Sequence, residues 1–118
     1  MGKRSRRRGA EQLAAPESPY EDAEGNVLVL RGAMTAATRR EYAKVRAGGL
    51  EREDAWQRSV EFLFERLAVR WVIAGADPIE RQRDLLARYR FAGGDERAWI
   101  REVLRMHLAE HFPDVEAP

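Results

Sequence analysis

Near its C-terminus the chain reads HLAEHF, from His107 to Phe112, with two imidazoles and the carboxylate of Glu110 in one short stretch. Positions i and i+4 of a helix share a face. His107 and His111 could therefore hold one metal ion, with Glu110 taking a proton from its bound water. This is the H-x-x-E-H arrangement of one class of zinc hydrolase. Such a site needs three protein ligands and an open position for water. Beyond His111 only seven residues remain, and of these only Asp114 and Glu116 are acidic. At 100° per residue both histidines fall inside the apolar arc of Ile100, Val103, Leu104 and Leu108. The pattern therefore favours packing histidines with one polar edge. His111 also falls in a last helical turn, where positive charge is stabilised by the helix dipole.

The other candidate chemistries lack their partners. Ser59 has no flanking elbow glycines, and Gly48-Gly49 and Gly93-Gly94 lack the surroundings of a phosphate loop. With no cysteine, disulfides and thiolate metal sites are excluded. No catalytic, metal-binding or cofactor-binding residue is assigned, no cofactor is expected, and binding or assembly is the default role.

The elements that position these residues follow from the hydrophobic pattern. The chain has 118 residues, enough for one domain with a modest core. Residues 1–17 lack periodicity and read as a disordered arm. Lys3, Arg4, Arg6, Arg7 and Arg8 put five positive charges at its start, and apart from these five the chain has 16 basic against 20 acidic residues. Such an arm can neutralise nucleic-acid phosphates, although no aromatic residue is interleaved for base stacking. Residues 18–33 read as a β-hairpin, with a turn at Glu24-Gly25-Asn26 and a β-prone run from Val27 to Leu30.

From residue 34 to 113 the pattern is helical. Thr35 caps a first helix that ends at Gly48-Gly49. A central helix from Arg52 to Ala74 carries Trp56, Val60, Leu63, Phe64, Leu67, Trp71 and Ala74 on one stripe and Phe62, Val69 and Ile73 on a second. Asp77-Pro78-Ile79-Glu80 has the form of a capped helix start. The helix it opens turns Ile79, Gln82, Leu85, Leu86 and Tyr89 inward. Asp95 caps a fourth helix that stops before Pro113, and residues 114–118 form a flexible tail. The expected fold is mainly α: about four helices in a small bundle, a short N-terminal β-hairpin and a disordered basic arm. No apolar run approaches the roughly 18 residues of a membrane span, so no membrane partner is expected.

Two apolar sets are candidates for a partner surface: Phe62, Val69 and Ile73, and the arc of Ile100, Leu104, Leu108 and Phe112. Either serves a partner only if it is not closed within the monomer. Arg39, Arg40, Lys44 and Arg46 read as a solvated basic face of the first helix.

Three stretches carry a family resemblance: EGNVLVLRGAMTAATRREYAKV, AWQRSVEFLFERLAVRWVIAG and ERQRDLLARYRFAGGDERAWIREVLRMHLAEHFP, which cover most of residues 24–113. The GNVLVLR strand, the FLFERL core of the central helix and the closing WIREVL helix together resemble the small tail assembly chaperones of tailed actinobacteriophages. The resemblance implies a non-enzymatic protein of the host cytoplasm that is absent from the mature virion. Its implied partner is the long helical tape-measure protein, held soluble while tail-tube subunits polymerise, with the tail-tube protein as a second candidate. Such chaperones are often made in two lengths by ribosomal frameshifting, and this chain resembles the short form. A small nucleic-acid-associated protein acting through its basic arm is the alternative.

Overall fold

The computed structural model describes residues 15–48 and 52–118. Lys3, Arg4, Arg6, Arg7 and Arg8 lie outside the described residues. In chain order the described elements are strands β1 (Glu17–Glu21) and β2 (Val27–Arg31), helices α1 (Ala36–Arg46) and α2 (Arg52–Leu67), strand β3 (Ala68–Val72), and helices α3 (Gln82–Phe91) and α4 (Gly94–His111). The three strands form one antiparallel sheet in the order β1-β2-β3. The fold is mainly helical, but it contains a sheet where the sequence pattern gave a hairpin alone.

The hairpin arises where the sequence places it. Asp22 carbonyl oxygen accepts from the Gly25 N–H at 3.1 Å, and Asp22 N–H donates to the Asn26 carbonyl at 3.0 Å. Gly25 sits at φ 83°, the left-handed geometry that closes a three-residue hairpin loop. The Asp22 carboxylate accepts from the backbone N–H groups of Glu24 and Asn26 and from the Asn26 side-chain amide, all at 2.9 Å. A Cβ at Gly25 would meet nothing closer than 3.8 Å, so substitution there is opposed by backbone geometry rather than by space. Gly25→Ala is expected to lower stability by about 1–2 kcal/mol, read as a shift in the urea midpoint with an unchanged m-value.

The third strand is the main correction to the sequence reading. The central helix does not run to Ala74. It ends at Leu67, and Ala68–Val72 continues directly as a strand. Val27 pairs with Val72, Leu28 with Trp71, Val29 with Arg70 and Leu30 with Ala68, with a bulge at Val69. Leu67, Trp71 and Ala74 suit a helical stripe, but Ala-Val-Arg-Trp-Val is also a β-branched, aromatic-containing run that suits a pleat. The open edge of β2 decides between them, because pairing satisfies backbone groups that would otherwise be buried without partners. A turn from Ile73 to Ala76 follows, with φ 52° at Ala74 and 71° at Gly75, and the Ala74 N–H donates to the Asn26 side-chain oxygen at 2.8 Å.

The same pairing displaces the next helix start. Ile79 bridges to Trp71, with mutual N–H to carbonyl bonds of 3.0 and 2.9 Å. That needs extended backbone, so Asp77-Pro78 does not open a helix. α3 begins at Gln82 with Arg81 as its N-cap. Gln82 is exposed and donates to the Glu65 carbonyl, while Leu85 and Tyr89 face inward. Thr35 caps α1 as the sequence indicates, accepting from the Thr38 N–H. α4 starts two residues earlier than an Asp95 cap implies, with Gly94 as its first residue and Gly93 as its N-cap.

The core gathers Leu28 and Leu30 from β2, Tyr42 from α1, Val60, Leu63, Phe64 and Leu67 from α2, and Trp71 from β3. Leu85 and Tyr89 of α3, Ile100, Val103, Leu104 and Leu108 of α4, and Phe112 complete it. Strand alternation turns Val27, Val29 and Arg31 to the opposite face. There Glu17 on β1 and Arg70 on β3 approach to 3.9 Å across Val29, which is buried. The Gly32 N–H donates to the Pro16 carbonyl, so the alternation of paired positions aims the backbone nitrogen of Pro19 away from β2. Pro19 thus removes a donor from the outer edge of the sheet and blunts that edge against further pairing.

Candidate functional site

The two histidines lie on the buried side of α4, against β1 and the end of β2. His107 is completely buried. Its Nε2 lies 2.8 Å from the Arg31 carbonyl oxygen, which can only accept, so Nε2 carries the proton. Its Nδ1 is then the acceptor for the Tyr20 hydroxyl at 2.8 Å. Burial pushes the His107 pKa below the ordinary histidine value, and the positive charge that His111 can carry acts in the same direction. Burial, and secondarily the Glu110 carboxylate, raises the Tyr20 hydroxyl pKa and keeps it a donor. His111 Nε2 lies 3.0 Å from Ser18 Oγ.

Ser18 and Tyr20, two apart on β1, point to the same side and meet residues four apart on α4. The constellation is therefore Ser18, Tyr20, the Arg31 carbonyl, His107 and His111, and it fastens the hairpin to the last helix. Gly32 fits tightly beside it: a Cβ there would lie 2.8 Å from Pro16 Cγ and 3.0 Å from His111 Nδ1. Glu110 stays exposed, 4.0 Å from His111 Nε2. Both ring nitrogens of His107 are taken by protein groups, so it has no lone pair left for a metal. No group of three potential metal-ligating side chains occurs among the described residues.

The two apolar sets separate in the structure. Ile100, Leu104, Leu108 and Phe112 are core, each at most 2% exposed, so this arc is closed within the monomer and offers no partner surface. Phe62, Val69 and Ile73 are half-buried but do not form a helical stripe. Phe62 is on α2, stacked on Tyr42 at 6.1 Å, and the Arg66 guanidinium lies 5.1 Å from its ring centre. Val69 is in the β3 bulge and Ile73 lies past the strand.

The sequence reading missed two features. One is the Ser18–Tyr20 face, detectable only as i, i+2 alternation in a five-residue strand. The other is a cavity of about 510 Å³ lined by Arg39, Tyr42, Ala43 and Arg46 of α1 and by Asp114 to Glu116. The last residues are not a loose tail. Val115 and Ala117 pack on the core, and Pro118 is buried. Arg39 pairs with Asp114 and Arg46 with Glu116, each at 3.0 Å, and the Tyr42 hydroxyl donates to the Glu116 carbonyl at 2.6 Å. Alternating apolar and acidic side chains let this segment bury one side and present charge on the other.

No protein-family model matches the chain, and neither does a curated protein or a solved structure at a significant level.

Proposed function

We propose that the chain is a non-enzymatic phage or prophage assembly protein, a tail assembly chaperone that binds the tape-measure protein in the host cytoplasm. One observation carries the reading beyond the sequence resemblance: apolar surface is left over once the core is closed. Val27 and Val72 pair across the sheet on the face turned away from the helices, and both are half-buried. An apolar patch of this kind suits the apolar stripe of a partner helix. The histidine pair, the chain's strongest catalytic motif, is engaged in structural hydrogen bonds. No helix among the described residues is long and apolar enough to cross a membrane.

The test is a pull-down from cells expressing the native gene neighbourhood, read by mass spectrometry at low and moderate salt. The expected result is a very long helical partner retained as salt rises. Val72→Glu should weaken that retention while circular dichroism stays unchanged. Recovery of nucleic acid alone, lost at moderate salt and lost on removal of residues 1–9, would overturn the proposal in favour of the basic arm.

A further inference from the structure

Two imidazoles meet inside the contact between β1 and α4, with their ring centres 4.5 Å apart. Two positive charges at that separation repel, and most strongly away from water. The groups around them are few. β1 contributes the Ser18 and Tyr20 hydroxyls, and β2 the Arg31 carbonyl oxygen. The Arg31 side chain lines a separate cleft with Arg66 and Gln82. On α4 itself, Glu110 is the only carboxylate among the described residues within 4.0 Å of either ring's nitrogens. α1 contributes Arg39, which reaches the Phe112 ring packed on both imidazoles and is paired with Asp114.

The two rings answer a proton differently. His111 can carry one without losing a bond: its Nε2–H donates to Ser18 Oγ, and Glu110 and the carbonyl end of α4 face the charge. His107 cannot. Its Nε2 already holds a hydrogen for the Arg31 carbonyl, so a second proton goes to Nδ1, against the hydrogen of the Tyr20 hydroxyl. The Tyr20 contact must then break or reverse, and the new charge lies fully buried beside His111. β1 is the element least able to resist this. None of its side chains is fully buried. Its ion pair, Glu17 with Arg70, spans 3.9 Å between partly exposed side chains and contributes little. β2, by contrast, sends Leu28 and Leu30 into the core. A two-stranded pairing without support from a packed neighbour is marginal in water.

We infer that the imidazole pair is an acid-operated latch: with both rings charged, β1 lets go of α4 and of the β2 edge, while β2, β3 and the helices keep their places. The inference holds whichever partner the chain binds. Burial keeps the His107 pKa below the ordinary histidine value, and a charged His111 lowers it further. The latch is therefore closed above about pH 6.5 and opens as pH falls through the lower folded-state value.

The test is amide hydrogen exchange of the full chain between pH 7.5 and 5, read by NMR and corrected for the intrinsic pH dependence of exchange. The Gly32 N–H donates to the Pro16 carbonyl, so the alternation of the ladder aims the Ser18 and Tyr20 N–H groups at β2 as well. Their protection is expected to fall by roughly tenfold, about the worth of one hydrogen bond, while the helical amides of Phe64 and Leu104 keep theirs. His107→Gln retains one donor and one acceptor but takes no proton, so its β1 protection should not change with pH. In His111→Asn the neighbouring charge is gone, and the His107 ring signals should titrate at higher pH. If circular dichroism shows His107→Gln unfolded, the exchange of the unchanged chain and the His111→Asn titration carry the test. Equal loss of protection in β1 and the helices, no loss in β1, or a His107 titration unmoved by His111→Asn overturns the inference.

Discussion

Replacing His107 by leucine is expected to destabilise the protein by about 2–4 kcal/mol, because a buried group that loses its partner costs about 1–3 kcal/mol. Two groups are orphaned at once: the Tyr20 hydroxyl, which donates to Nδ1, and the Arg31 carbonyl, which accepts from Nε2. Leucine fills most of the volume, so the loss reports the hydrogen bonds rather than a cavity. The pH dependence carries the same information. The folded-state pKa of His107 lies below its unfolded value, first because of burial. The unfolded chain therefore takes up the proton first as pH falls. The contribution is fully present above about pH 6.5 and is lost progressively as pH falls toward the folded value. Urea midpoints between pH 7.5 and 5 should decline in the unchanged protein and decline less in His107→Leu. Equal pH slopes in the two proteins would sink the assignment of His107 as a buried neutral donor–acceptor.

Trp71→Ala is the second large effect, with an expected cost of about 3–5 kcal/mol. Trp71 is 1% exposed and joins four elements. It is paired with Leu28 of β2, bridged to Ile79, packed edge-on against Phe64 of α2 at 5.6 Å, and covered by Arg88 of α3. Its removal takes away the side chain around which the third strand and the segment leading to α3 are organised. Near-ultraviolet circular dichroism and the urea midpoint should both fall sharply. A change below about 1 kcal/mol, the level of an ordinary surface substitution, would mean that Ala68–Val72 is not the strand described.

Several elements were legible from local chemistry. Gly25 and Asn26 mark the hairpin turn because only certain residues accept left-handed backbone or bond to their own neighbours there. Thr35 caps α1 through its own hydroxyl, an interaction within four residues of sequence. The burial of Leu63, Phe64 and Leu67, and of Ile100, Leu104 and Leu108, follows from helical periodicity. The packing role expected of His107 from its place in the apolar arc was legible in the same way.

What tertiary structure decided is non-local. Ala68–Val72 has a pattern that fits either period, and it becomes a strand because the edge of β2, about 40 residues earlier, needs a partner. That choice splits Phe62 from Val69 and Ile73 and turns a well-formed helix-start motif at Asp77-Pro78 into extended chain. Residues 114–118 are too few to show periodicity of their own, and only the arginines of α1 reveal the use of Asp114 and Glu116. Likewise, the spacing of His107 and His111 put them on one face of a helix, whereas Tyr20 and the Arg31 carbonyl, brought in by the hairpin, determined that His107 would hold the fold together. Sequence by itself determined the elements whose signals lie within a few residues, and the sheet, the packing of residues 114–118 and the role of His107 waited on groups that meet only in three dimensions.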